Sequence, residues 1–231
     1  MAIEVFRRIE QKYIVSKEEY EKIINLSSNR LEKDPYFESI NASIYFDTKN
    51  SDLIISSLDK PIYKEKVRVR SYGIPSLEDK VFLEIKKKYE GIVYKRRIAI
   101  KLKDLYSYLD GKEELNGNKQ KAKEIDYYFK YYNLIPSLYL AYDRKSYIGF
   151  ENSHFRVTFD TNVRSRNYDL NLEKGDYGDI NLEDKYIMEV KSIKSIPLWF
   201  SSILSELKIY PSSYSKYGEI YKKRKEEINN V

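Results

Sequence analysis

The chain has no cysteine, which excludes disulfide staples and thiolate-held metals. It has one histidine, His154, which reads as a strand-edge residue rather than a ligand, because one imidazole does not make a constellation. No apolar run reaches the roughly 18 residues that a membrane helix needs. The opening Met1-Ala2-Ile3-Glu4-Val5-Phe6-Arg7-Arg8 lacks the charged-then-apolar order of a signal peptide. Neither glycine-rich phosphate loop, Gly-x-x-x-x-Gly-Lys or Gly-x-Gly-x-x-Gly, occurs. Internal repeats, long linkers and low-complexity blocks are also missing. These absences favour a cytoplasmic location and chemistry that runs on neither thiols nor a mononucleotide loop.

What is present is charge. The 231 residues suit one domain spanning 1–231, a common size for a β-barrel with helical cover. A formal net charge of +6 points to nucleic acid, an anionic membrane surface or a phosphate-rich ligand as partner. The 24 tyrosines, with abundant Lys, Ile and Asn, are read as base composition rather than function. Where the charges fall says more than their sum.

Ser16 with Glu19 three residues on forms a capping-box pattern, so a helix is expected over 17–26. Alternation and β-rich composition predict strands near 43–47, 63–72, 80–88, 92–101, 138–149, 154–164 and 185–192. Tyr89-Glu90-Gly91 is a turn signal, so 80–88 and 92–101 read as a hairpin. Helices are expected over 103–110 and 119–132, separated by the polar Gly111–Asn118 loop, then from Pro197 to about Tyr210, and from Ser212 onward. Residues 165–183 read as a loop.

A strand sends alternate side chains to opposite faces. Lys64, Lys66, Arg68 and Arg70 share one face of 63–72, against Val67 and Val69. Glu84, Lys86 and Lys88 oppose Val81, Leu83 and Ile85; Lys95 and Arg97 share a face of the next strand. Arg8, Glu10 and Lys12 oppose Ile9 and Tyr13, Arg156, Thr158 and Asp160 oppose Val157 and Phe159, and Glu189 and Lys191 oppose Met188 and Val190. An ordinary sheet with one wet face explains any one strand. It explains less well a series of strands carrying the same sign, since like charges facing each other across strands destabilise. Closing the sheet would place the charged faces inside and leave the apolar faces for helices to cover. Such an interior suits a polyanion: Arg grips phosphate oxygens bidentately and Lys acts as a mobile point charge. Glu10, Glu84 and Glu189 could pair with neighbouring cations or hold a divalent metal.

Arg8-Ile9-Glu10-Gln11-Lys12-Tyr13 resembles the opening strand of the triphosphate tunnel metalloenzymes, the CYTH-like superfamily. The segments Val67–Gly73, Leu83–Lys88, Lys95–Arg97, Ala141–Arg144, Phe155–Asp160, Met188–Lys191 and Tyr214–Tyr217 are, in order, similar to the VTC-type polyphosphate polymerase branch. The resemblance implies an α+β fold, a closed antiparallel β-barrel, or triphosphate tunnel, covered by helices. It implies a phosphotransferase that moves the γ-phosphate of ATP onto a growing polyphosphate chain, with Mn²⁺ or Mg²⁺. By motif, Lys12, Arg68, Arg70, Lys86, Lys95, Arg97, Arg144, Arg156 and Lys191 would line the tunnel as catalytic residues, and Lys216 would join them from the last helix. Arg144 and Lys216 rest on the resemblance alone. Arg8, Lys64, Lys66, Tyr142 and Ser215 would bind substrate, and Glu189 with Glu10 would hold the metal.

Two positions depart from the pattern. Tunnel triphosphatases usually open with Glu-x-Glu-x-Lys, whereas this chain has Arg8 at the first position, which moves the reading toward the polymerase branch. Ser213 stands where the polymerase pattern often has a second basic residue. The expected partners are ATP and polyphosphate, without nucleic acid and without a membrane span; contact with a membrane surface or membrane protein, and the oligomeric state, stay open. The alternatives are a metal-dependent triphosphatase acting on inorganic or nucleoside triphosphate, and a non-catalytic protein that binds polyphosphate or nucleic acid.

Overall fold

The computed structural model describes residues 8–59, 61–90, 92–115 and 119–229. In chain order the elements are β1 (Arg8–Ser16), α1 (Lys17–Leu26), β2 (Leu31–Asp47), α2 (Asp52–Leu58), β3 (Tyr63–Tyr72), β4 (Lys80–Tyr89), β5 (Ile92–Lys101), α3 (Leu102–Leu109), α4 (Lys119–Tyr132), β6 (Ile135–Gly149), β7 (Arg156–Arg166), β8 (Asp179–Leu182), β9 (Lys185–Ile193), α5 (Leu198–Glu206) and α6 (Lys216–Asn229). The fold is α+β. The strands join in the order β1-β9-β7-β6-β2-β3-β4-β5, with β8 on β7.

This order corrects the expectation of a closed barrel. The hydrogen-bonded path has two ends, β1 and β5, among the described residues. β1 uses one side of its backbone on β9, from Arg8↔Ile193 to Ser16↔Lys185, and β5 uses one side on β4. The sheet is large and open, and its pairs β1–β9, β2–β3, β3–β4, β4–β5 and β7–β9 are antiparallel.

The expected helix over 17–26 is present with both halves of its capping box. Ser16 Oγ accepts the Glu19 amide at 3.1 Å and Glu19 Oε2 accepts the Ser16 amide at 2.7 Å. The hairpin is present, with Tyr89 opposite Ile92; Gly91 of its turn lies outside the described residues, as do 116–118 of the expected Gly111–Asn118 loop and the first seven residues.

Other boundaries differ for identifiable reasons. β2 begins at Leu31, twelve positions before the expected strand, through a stretch containing Pro35 and mostly exposed side chains, where no hydrophobic alternation marks it. α2 was not expected. Its first amide, of Asp52, is accepted by Thr48 Oγ1 at 3.0 Å and the next two, of Leu53 and Ile54, by the buried carboxylate of Asp47 at 2.9 and 3.1 Å, so the signal for it lies outside the helix. β8 falls inside the expected 165–183 loop. There Gly178, at φ +157°, passes so close to β7 that a Cβ would stand 2.6 Å from the Ser165 carbonyl oxygen. α6 starts at Lys216 rather than at 212, because the Ser212 amide donates to the Lys12 carbonyl at 2.7 Å instead of entering a helix.

The chain divides into two compact units. The first comprises the described residues to Ser39, Tyr142–Val163 and Leu182–Ser215. Its core places Tyr13, Val157, Phe159, Met188 and Val190 from the apolar strand faces against Ile23 of α1 and Phe200 and Leu204 of α5. Trp199 is half-buried and packs edge-on to Phe155 and Phe200. The second unit comprises Ile40–Ala141, Arg164–Asn181 and the chain from Lys216. Its core places Ile44, Phe46, Val67, Val69, Leu83 and Ile85 against Leu102 and Leu105 of α3 and Ile125 and Phe129 of α4. Both cores use the apolar faces read from the sequence, and the charged faces lie opposite them.

Candidate functional site

In the second unit the charged faces of β2 to β5 stand in register. One row reads Tyr45, Arg68, Glu84, Arg97, and the next reads Lys66, Lys86, Lys95. Glu84 is almost wholly buried at 2% exposure, yet it is charged, because cations surround it. Arg68 contributes Nε and Nη2 to Oε2, both at 2.9 Å. Lys95 Nζ lies 2.8 Å and Arg97 Nε 2.6 Å from Oε1. Arg70 Nε stands farther off, 4.0 Å from Oε2, and has no hydrogen-bond acceptor. Burial works to raise the Glu84 carboxyl, and the charges of Arg68, Arg70 and Lys95 overcome it, bringing its pKa down to about 2. Four cations thus meet one acid, and one guanidinium N–H is left without a partner.

Tyr45 closes the row. Its hydroxyl accepts Arg68 Nη1 at 3.1 Å. Burial works to raise its pKa, and the charges of Arg68, Lys66 and Arg70 outweigh that, lowering it to about 8. Tyr217 of α6 lies against its ring at 4.6 Å and donates to Asp47 at 2.9 Å. The sequence reading passed over Tyr45, although Ser43, Tyr45 and Asp47 alternate with the apolar Ile44 and Phe46.

The first unit carries a different cluster on β1, β9, β7 and β6. Lys12, Glu189 and Thr158 form one row; Glu10, Lys191 and Arg156 form the next. Arg144 grips the fully buried Asp160 bidentately, Nε to Oδ1 at 2.6 Å and Nη2 to Oδ2 at 2.8 Å, and lies 3.8 Å from Glu189 Oε2. Lys191 Nζ is 3.3 Å from Glu189 Oε1. Burial would raise the Glu189 carboxyl; a hydrogen bond with Glu10 and the charges of Lys191, Lys12 and Arg144 hold it well below the usual carboxylate range. Lys12 Nζ donates to the Tyr214 carbonyl at 3.1 Å. Arg156 reaches Asp34 at 3.2 Å, an acid the sequence reading missed because the start of β2 was not expected.

The structure therefore places Arg68, Arg70, Lys95 and Arg97 around Glu84, with Lys66 and Lys86 in the adjoining row and Lys64 in the row beyond, opposite Lys88. It places Lys12, Arg144, Lys191, Glu10 and Glu189 in the first unit's cluster, with Arg156 at its margin. Tyr142 is buried with the Arg144 guanidinium 5.2 Å from its ring centroid. Ser215 is half-buried, as is Lys216, the first residue of α6. The Arg8 side chain lies outside the described residues. His154 is exposed in the turn before β7.

Among the described residues no three acids or imidazoles converge on a metal position. A hard divalent ion such as Mg²⁺ nonetheless binds through one or two carboxylates when substrate phosphates and water complete its shell. Glu189 and Glu10 fit that mode: they stand in adjoining rows on one face of β9 and β1, where their carboxyl groups can serve one divalent cation. The Thr158 hydroxyl, opposite Glu189, is buried without a hydrogen-bond partner and adds a free oxygen there. Glu84, sequestered by its cations, does not fit.

An α+β fold with a large antiparallel sheet and Lys/Arg-bearing strand faces defines the class. The chain matches the VTC domain model over residues 7–224 and belongs to the VTC domain family. Among solved structures it is similar to a candidate adenylate cyclase of Bacillus halodurans, at 17% identity and a TM-score of 0.56, covering 90% of this chain and 93% of that one. The PH1819 protein of Pyrococcus horikoshii gives 15% and 0.53, covering 94% and 99%. The Hippeastrum adenylyl cyclase candidate HpAC1, which shows a dominant triphosphatase activity, gives 16% and 0.54, covering 91% and 93%. At these identities the likeness is one of fold, that of the triphosphate tunnel, CYTH-like proteins. No curated protein matches the sequence.

Proposed function

We propose that the chain is a metal-dependent phosphotransferase that moves the γ-phosphate of ATP onto a growing polyphosphate chain. In this reading residues 1–231 work as one domain. The observation that carries it is the imbalance around Glu84, where four cations face one carboxylate and the Arg70 Nε–H lacks an acceptor. A polyphosphate segment, charged at each phosphoryl unit, supplies the negative charge that a single carboxylate leaves unmatched. Phosphoryl transfer asks little covalent help of a protein; alignment and charge stabilisation do most of the work. Arg68, Arg70, Lys95 and Arg97 would hold and align phosphates. Glu189, with Glu10, would hold Mn²⁺ or Mg²⁺, which when bound supplies charge stabilisation at phosphate oxygens. Lys12, Lys191 and Arg144 would keep Glu189 ionised and oriented.

A second reading, hydrolysis of a triphosphate by water, is favoured by Ser213, which is exposed and adds no cation near Lys216. Incubation with ATP and Mn²⁺ separates the two. ADP together with long polyphosphate is the expected outcome. Orthophosphate without chain growth would select the triphosphatase, and tight retention of polyphosphate without turnover would select a binding protein.

A further inference from the structure

The β4–β5 hairpin carries a surface that neither charged cluster uses. Register puts Tyr63, Tyr89 and Ile92 in one row, and Lys64, Lys88 and Val93 in the neighbouring row, which faces the opposite way. α4 covers part of the apolar face: the Tyr128 hydroxyl lies 3.0 Å from that of Tyr63, and Glu124 pairs with Lys87 and Arg96. Several residues beside the turn stay bare. Ile62 is 70% exposed, and Ile92, Val93 and Tyr94 are each about half exposed. On α4 the rings of Tyr127 and Tyr131, stacked 5.4 Å apart, are exposed as well.

The charge around this surface is mainly of one sign. Lys88 is exposed on the hairpin, and Lys119, Lys121 and Lys123 are exposed on α4; Glu90 stands at the turn, and the α4 acids Glu124 and Asp126 are paired, with Lys87 and Arg96 and with Lys130. Three occupants can be weighed. A second copy of the chain would bring the same lysines against one another. A single-stranded nucleic acid would find tyrosine rings to stack on, but Ile62, Ile92 and Val93 offer nothing to a base. An anionic bilayer uses both parts: aliphatic side chains enter the boundary between headgroups and acyl chains, tyrosines sit at headgroup level, and lysines meet the lipid phosphates.

We propose that the tip of the β4–β5 hairpin and the adjoining face of α4 dock on an anionic phospholipid surface, led by Ile92, Val93 and Tyr94. This property is independent of phosphoryl transfer. The test is flotation of the full chain with vesicles of phosphatidylcholine alone, or with about a third phosphatidylglycerol. The chain should float with the anionic vesicles and not with the neutral ones. An Ile92→Ser/Val93→Ser double variant should lose binding by about tenfold or more, since two apolar side chains no longer enter the boundary. Its ATP turnover and thermal midpoint should stay as in the parent. Tyr127→Ser/Tyr131→Ser should weaken flotation to a smaller degree.

Four results would overturn the proposal: no flotation, equal flotation of the double variant, complete displacement from the vesicles by inorganic tripolyphosphate, or loss of RNA binding or of a dimer, rather than of flotation, in the double variant. The third would mean that the Glu84 cluster, not the hairpin tip, was holding the lipid phosphates.

Discussion

The two charged clusters are made of the same residue types on the same strand alternation, yet they differ in balance. Around Glu84 the second unit sets Arg68, Arg70, Lys95 and Arg97 against one acid. The first unit sets Lys12, Lys191, Arg144 and Arg156 against Glu189, Glu10, Asp160 and Asp34. A cation-rich cluster cannot neutralise itself and is completed by an external anion. A cluster of four cations and four acids neutralises itself, and its Glu189–Glu10 pair offers carboxyl oxygens to a metal. In the proposed reading, this difference gives phosphate binding to one set and metal holding to the other.

That division can be broken, and the largest effect should come from Glu84→Gln. Removing the acid leaves buried cations unpaired, which should cost about 3–5 kcal/mol of stability. Inorganic tripolyphosphate should restore part of it in a thermal melt; a variant as stable as the parent would mean that the cluster is already screened by water. Next comes Glu189→Gln, expected to lower metal-dependent turnover by about 100-fold, or roughly 2.7 kcal/mol, with the circular dichroism spectrum unchanged. Should Glu189→Gln keep its metal dependence, the assignment of the first cluster fails.

Arg68→Ala or Arg97→Ala should weaken tripolyphosphate binding by about 1–3 kcal/mol, measured by calorimetry. Arg144→Ala should act mainly on stability, because its partner Asp160 is fully buried. The smallest effect sharpens the contrast rather than testing it. Tyr45 has its pKa lowered from 10 to about 8, so the folded chain binds fewer protons than the unfolded one between those values. The stability it contributes is present in full above pH 10, declines as pH falls through this window, and is gone below about pH 8. The tyrosinate also neutralises Arg68, so tripolyphosphate affinity should fall several-fold as pH rises through 8, and Tyr45→Phe should flatten that profile and remove one tyrosinate step from the absorbance titration.

Much of both clusters was legible because strand alternation is strict. Lys66, Arg68, Arg70, Glu84, Lys95 and Arg97 were placed on common faces from their spacing, and register then set them side by side. What escaped the sequence depends on partners distant along the chain. Asp34 lies in the part of β2 that has no hydrophobic period, so backbone pairing rather than composition holds it in the sheet. Tyr45 looks like any strand tyrosine until Arg68 arrives from β3. Barrel closure was inferred from the charged faces, but closing a sheet requires a partner for the free side of each edge strand, and spacing within one strand carries no information about that.

Asp47 is wholly buried and accepts hydrogen bonds from the amides of Thr48, Leu53 and Ile54 and from the hydroxyl of Tyr217, 170 positions along the chain. One carboxylate therefore serves as the terminus of α2 and as a mooring for α6. The consequence lies in the cooperativity of opening: α2 and the start of α6 should exchange their amide protons as one unit, and a lesion in the last helix should register as faster exchange at Leu53 and Ile54.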